Sequence, residues 1–136
     1  MRQAWLIAIA TLAVGCTTTP VPSSSAKPIP LERVYALEST KPEQGHALLV
    51  VTRDKGWKAQ ACLARIYVDG DLVADLKASE QIRLYVAEGP HLVGVSGERC
   101  LGGADQASVD VTRAKPVLLR ISMGSGVGMK IEPSAF

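Results

Sequence analysis

Cys62-Leu63-Ala64-Arg65-Ile66-Tyr67-Val68-Asp69-Gly70-Asp71-Leu72-Val73-Ala74-Asp75-Leu76 is the stretch that decides the fold. In its first half Cys62, Ala64, Ile66 and Val68 fall on one face and Arg65 and Tyr67 on the other. That period of two marks a strand with one buried face. Asp69-Gly70-Asp71 supplies residues that tolerate positive φ, and the chain turns apolar again from Leu72 to Leu76, so the segment reads as a hairpin. Cys62 shares the inward face, where a buried bridge between two sheets would need it.

The same grammar extends in both directions. From Leu31 onward no helical period of useful length occurs. His46 to Arg53 is an apolar run suited to a central strand. Ile82, Leu84 and Val86 alternate with Arg83 and Tyr85, and Glu88-Gly89-Pro90 separates them from a strand that begins at His91. Val109 and Val111, then Val117, Leu119, Ile121 and Met123, alternate with polar or outward positions, and Met129 to Glu132 follows a glycine-rich turn. Lys77 to Glu80 reads as a turn, and Leu31 to Glu38 as an added edge strand. Seven to nine short strands with frequent turns predict an all-β fold, a single antiparallel β-sandwich.

The chain has 136 residues, room for one domain and an appendage. Charged residues make up 21% and the formal net charge is +2, which gives no overall electrostatic footprint for nucleic acid or for broad adhesion to anionic lipid. The hydrophobic fraction is 47% with one Phe, so aliphatic side chains must build the core.

The amino terminus has a different character. Arg2 precedes a charge-free run from Ala4 to Val14, too short to span a bilayer but of the length of a signal-peptide core. It ends in Ala13-Val14-Gly15-Cys16. Small residues before a cysteine resemble the lipobox of bacterial lipoproteins, with Ala13 where Leu is more usual. This organisation predicts a signal peptide over residues 1–15, lipidation (palmitate included) of Cys16, a tether over residues 16–30 and the β-sandwich over residues 31–136. Thr17, in place of Asp, resembles the Gram-negative pattern that sorts to the outer membrane, with the domain facing the periplasm. Thr17 to Pro30 is rich in Pro, Ser and Thr and reads as a disordered spacer with a reach of roughly 40 Å.

With Cys16 committed to lipid, Cys62 and Cys100 remain as an even pair in an oxidising compartment, which predicts a disulfide bond. Neither lies in a Cys-x-x-Cys motif and no His stands at metal-ligand spacing, so no metal is expected.

Ala47 to Gly102 resembles a family of small bacterial lipoproteins. The residues that carry the likeness are Val51-Thr52-Arg53-Asp54-Lys55-Gly56, Ile66-Tyr67-Val68-Asp69-Gly70-Asp71-Leu72-Val73-Ala74, Ser79-Glu80, Leu84-Tyr85-Val86-Ala87-Glu88-Gly89-Pro90-His91 and Cys100. The middle of this pattern is similar to PEGA-type, transthyretin-like β-sandwich domains of bacterial envelopes. The resemblance implies fold and compartment and is nearly silent on activity.

Motifs for chemistry are weak. Gly124-Ser125-Gly126-Val127-Gly128 lacks the Lys-Ser/Thr of a phosphate loop and precedes a strand, so it reads as a hairpin turn. Gly94-Val95-Ser96-Gly97-Glu98 misses the last glycine of a nucleophile elbow. His46 and His91 are the only histidines, and Asp69 and Asp71 stand where turn chemistry puts them. No catalytic residue and no cofactor is expected. The candidate binding residues are Arg53, Asp54, Trp57, Lys58 and Arg99, because an aromatic beside arginine is the usual make-up of a binding hot spot. The favoured reading of Trp57 is nonetheless that it caps the core end and packs on the disulfide, and Arg53 could pair with Asp54 as a loop staple. The expected function is a membrane-anchored, non-catalytic envelope module that docks to an envelope protein or cell-wall glycan. A glycan- or peptide-binding module working through the Trp57 loop is the alternative, and a hydrolase is the least favoured reading.

Overall fold

The computed structural model describes residues 18–56, 62–98, 103–124 and 128–135. Nine strands account for most of them: β1 (Lys27–Pro28), β2 (His46–Arg53), β3 (Leu63–Val68), β4 (Asp71–Leu76), β5 (Glu80–Ala87), β6 (Gly89–Glu98), β7 (Asp105–Val111), β8 (Val117–Met123) and β9 (Met129–Pro133). No α-helix occurs among the described residues.

Two sheets form a β-sandwich. One has the order β1-β5-β2-β8-β9 and the other β4-β3-β6-β7. Pairings are antiparallel except β1 with β5 and β2 with β8. The β3–β4 hairpin closes on Asp69 (φ 51°) and Gly70 (φ 89°), with Val68 opposite Asp71. Positive φ at both central residues is the turn whose twist matches the flanking strands. A register shift after Ile66, which faces Ala74 while Tyr67 faces Leu72, leaves Val73 as the extra residue of a β-bulge.

The core is aliphatic, as the composition requires. Leu49, Val51, Ile82, Leu84, Leu119 and Ile121 of the first sheet meet Ala64, Ile66, Leu76, Val93, Val95 and Val111 of the second, all buried. Alternation along each strand sends every second side chain inward, and Cys62, Ala64, Ile66 and Val68 are buried together as their parity predicts.

Three expectations change. The segment 18–30 is not a free spacer. Thr19 and Lys55 form an antiparallel bridge, Val21 and Ala26 are buried, and Lys27–Pro28 adds an edge strand to β5. The reason is that the exposed edge of β5 offers unsatisfied backbone groups, and Lys27 N–H and Ile29 N–H donate to the carbonyls of Ser79 and Gln81.

Leu31 to Glu38 is not a strand. It holds the 3-10 turn Leu31–Arg33 and the start of a second, Leu37–Thr40, with only Val34 bridging to Ala74 of β4. The bulge at Val73 gives this edge a kink that a continuous partner strand would not follow, whereas Tyr35 N–H reaches the Val73 carbonyl from a turn.

Finally, the strands that lead to the two remaining cysteines belong to one sheet. Cys62 immediately precedes β3, and Cys100 follows β6 but lies outside the described residues; β3 and β6 are hydrogen-bonded neighbours with Leu63 opposite Glu98. A bridge between them would link adjacent strand ends within one sheet.

Candidate functional site

At the end of the sandwich where β2 finishes, two consecutive charged residues are buried on opposite sides of the first sheet. Arg53 points between the sheets and is 1% exposed, the largest fully buried side chain among the described residues. Its guanidinium donates from Nη1 to the carbonyls of Cys62 (2.6 Å) and Leu76 (2.7 Å), and from Nη2 to the Cys62 Sγ at 3.6 Å. It thereby joins the first sheet to the start of β3 and the end of β4. Burial pulls its pKa down to about 10 against the attraction of Glu80, so it remains cationic at neutral pH.

Asp54, also 1% exposed, points the other way. Arg120 of β8 grips it from Nε (3.2 Å to Oδ1) and Nη2 (to Oδ2), and Thr18 donates to the same Oδ2 at 3.0 Å. The Asp54 carboxylate holds the Arg120 guanidinium above its ordinary pKa, burial opposing it. Thr18 is further fixed by its N–H to the Met123 carbonyl (3.1 Å), and its hydroxyl accepts from Met123 N–H (3.0 Å). Gly56 lets the chain pass: a Cβ there would lie 3.3 Å from Thr18 Cγ2.

From this point the segment 18–27 crosses the ends of three strands. It touches Met123 at the end of β8, Lys55 just beyond β2, and Ser79 before β5, then continues as β1. Arg33 clamps the far side of this end. It donates both Nη atoms to Glu80 at 2.6 Å and Nη1 to the Asp75 carbonyl at 3.0 Å, tying β5 to β4. Burial alone would raise the Glu80 pKa, but the Arg33 bonds and the Lys77 N–H bring it below the ordinary carboxylate value.

The residues anticipated from sequence therefore divide. Arg53 and Asp54 are neither exposed nor paired with each other; they are interior fasteners and present nothing to a partner. Cys62 is buried beside Arg53. Cys16, Trp57, Lys58, Arg99 and Cys100 lie outside the described residues. Sequence reasoning missed Thr18, Arg33 and Arg120. In sequence Arg120 is one more outward residue of an alternating strand, and Thr18 lies in a run rich in Pro, Ser and Thr.

A second polar cluster occupies the opposite end. His91 Nδ1 lies 2.6 Å from Asp69 Oδ2 and Nε2 lies 2.6 Å from the Ala87 carbonyl. Both neighbours are acceptors, so the doubly protonated ring satisfies both contacts. Burial lowers the His91 pKa, but the Ala87 and Asp69 bonds outweigh it and leave the value raised. Asp69, which also accepts from Leu92 N–H at 2.9 Å, is held low by that bond and by His91. These two residues border a hollow of about 280 Å³ that His46, Asp71 and Tyr85 also line. With both ring nitrogens engaged, His91 has none left to serve as a general base. No group of three or more His, Cys, Asp or Glu suited to a metal ion occurs among the described residues.

No family model, curated protein or solved structure matches the chain.

Proposed function

We propose that the chain is a bacterial lipoprotein, anchored by acyl chains on Cys16, most simply in the outer membrane, whose β-sandwich serves as a non-catalytic binding or structural module of the periplasmic envelope. The observation that carries this reading is the charge-free run from Ala4 to Val14 ending in Ala13-Val14-Gly15-Cys16. Several acyl chains on one cysteine give stable attachment where one does not. The likeness to PEGA-type envelope domains belongs to the same reading, and the β-sandwich is compatible with it.

Oxidation of Cys62 with Cys100 is part of the proposal. It is supported by the pairing of Leu63 with Glu98, which brings the ends of β3 and β6 side by side. The module would act by surface complementarity toward an envelope protein or cell-wall glycan. With Arg53 and Asp54 buried, contacts of a glycan or peptide with the loop after β2 would fall to residues 57 and 58 and to Arg99.

The test is the mass of the mature protein purified from membranes. The expected amino-terminal peptide begins at Cys16 and carries diacylglyceryl and N-acyl groups, and Cys16→Ser leaves an unlipidated precursor. A mature terminus elsewhere, without lipid, would overturn the reading. Envelope cross-linking of the lipidated protein is then expected to capture a stoichiometric partner.

A further inference from the structure

We infer that the end of the sandwich crossed by the segment 18–27 is a membrane-contact face that meets anionic lipid headgroups. This rests on the lipid anchor proposed above and adds an orientation to it. Thr18 is pinned to Asp54 and Met123, and only one residue separates it from Cys16. Two residue steps of chain span at most about 7 Å. The acylated cysteine is thus confined close to this end, and the spacer that would let the domain tumble above the bilayer is folded onto it.

Charge is distributed to match. Of the six lysines among the described residues, Lys27, Lys55, Lys77 and Lys130 belong to this end, and all four are exposed. Lys27 is opposite Glu80 at the start of β5, Lys55 follows β2, Lys77 precedes β5, and Lys130 is the second residue of β9. Most acids close to them are partnered or buried: Asp54 and Asp75 are buried, Glu80 is held by Arg33, and Asp105 accepts from Ile131 N–H at 2.9 Å. The exposed Glu132, on the same face of β9 as Lys130, lies 3.4 Å from Arg120. Glu32, beside Arg33, is an exposed acid on the neighbouring edge. The opposite end carries the exposed Glu43, Asp71 and Asp110, together with Asp69 held by His91 and Glu88 held by Arg113, against Lys41 and Lys115. The formal net charge of +2 does not report this uneven placement of the lysines. Lysines near an anionic surface are drawn to it and acids are repelled, so charge and anchor favour the same orientation.

Native lysines report on the face directly. The lipidated protein is inserted into preformed vesicles of phosphatidylethanolamine with a minority of phosphatidylglycerol, and treated briefly with a membrane-impermeant amine reagent. Modification is read residue by residue by mass spectrometry. Lys27, Lys55, Lys77 and Lys130 are expected to react about fivefold more slowly than in an unlipidated, leaderless form beginning at Thr17 in solution, with Lys41 and Lys115 unchanged. The protection is expected to shrink on phosphatidylcholine vesicles. Uniform reactivity on an intact lipidated protein, or equal protection on both kinds of vesicle, would overturn the headgroup contact while leaving the anchor in place. An amino-terminal peptide without lipid would overturn the anchor itself, and the orientation with it.

Discussion

Arg53 and Asp54 show how much one peptide step decides. Adjacent residues on a strand face opposite ways, so the pair ends up in two separate buried networks, one between the sheets and one beneath Thr18. A buried arginine that caps two main-chain carbonyls is costly to remove, because the carbonyls of Cys62 and Leu76 lose their donor and a cavity opens. Arg53→Ala is expected to lose about 3–5 kcal/mol of unfolding free energy, measured by urea titration. Arg120→Ala is expected to cost a comparable amount, since Asp54 would remain buried with Thr18 alone beside the carboxylate. His91 gives a pH dependence of definite sign. Its folded pKa is raised, so its contribution is fully present below the ordinary value of 6.5 and fades as pH rises through the folded pKa. NMR titration of the ring should place the midpoint above 6.5, and Asp69→Asn should bring it down; an unchanged midpoint would show that the Asp69 contact does not act on the ring.

Among elements, the turn of the β3–β4 hairpin was legible, its bulge at Val73 was not, and neither was the segment before β2. Ile66-Tyr67-Val68-Asp69-Gly70-Asp71 encodes its turn locally: two residues that accept positive φ between a run of period two and an apolar run. Gly70→Ala is therefore expected to cost about 1 kcal/mol for its backbone conformation alone, because a Cβ there meets nothing within 4 Å. The segment 18–30 gave no such signal. Its Pro, Ser and Thr content describes a chain with nothing to bury, yet the partners that order it, Met123 and Lys55 and Ser79, come from three strands distant in sequence. Leu31 to Glu38 failed for a related reason: its apolar positions suit a strand, but the bulge at Val73 that receives it is a tertiary feature. Amide hydrogen exchange separates an ordered strap from a loose spacer. Lys55 N–H and Thr19 N–H, which donate to each other's carbonyls at 3.0 and 2.8 Å, are expected to exchange well below the random-coil rate, as is Lys27 N–H. Coil-like exchange at all three would mean that the segment is undocked in solution.

For the whole molecule, alternation established two facing layers but not which strands share a sheet. The parallel placement of β8 beside β2, and the antiparallel placement of β6 beside β3, depend on connections that cross between layers, and these leave no local mark. The candidate site was readable only in part for the same cause. Cys16 announces itself through the residues beside it, whereas the face it would press toward the membrane is assembled from the ends of β2, β5, β8 and β9. The topology also sets what a Cys62–Cys100 bridge would do. Neighbouring strands are already joined along β3 and β6, so the bridge would not hold the layers together; Arg53 and Arg33 do that. Its effect would lie mainly in the unfolded chain, where closing a loop of about 38 residues is worth about 4 kcal/mol in the chain-entropy model. The double variant Cys62→Ala/Cys100→Ala is expected to retain the sandwich, with unchanged far-ultraviolet circular dichroism, and to lose about that much stability. Disulfide reduction of the wild type should lower stability in the same direction, and adding reductant to the double variant should change nothing. A wild-type protein indifferent to reductant would show that the two cysteines are not bridged.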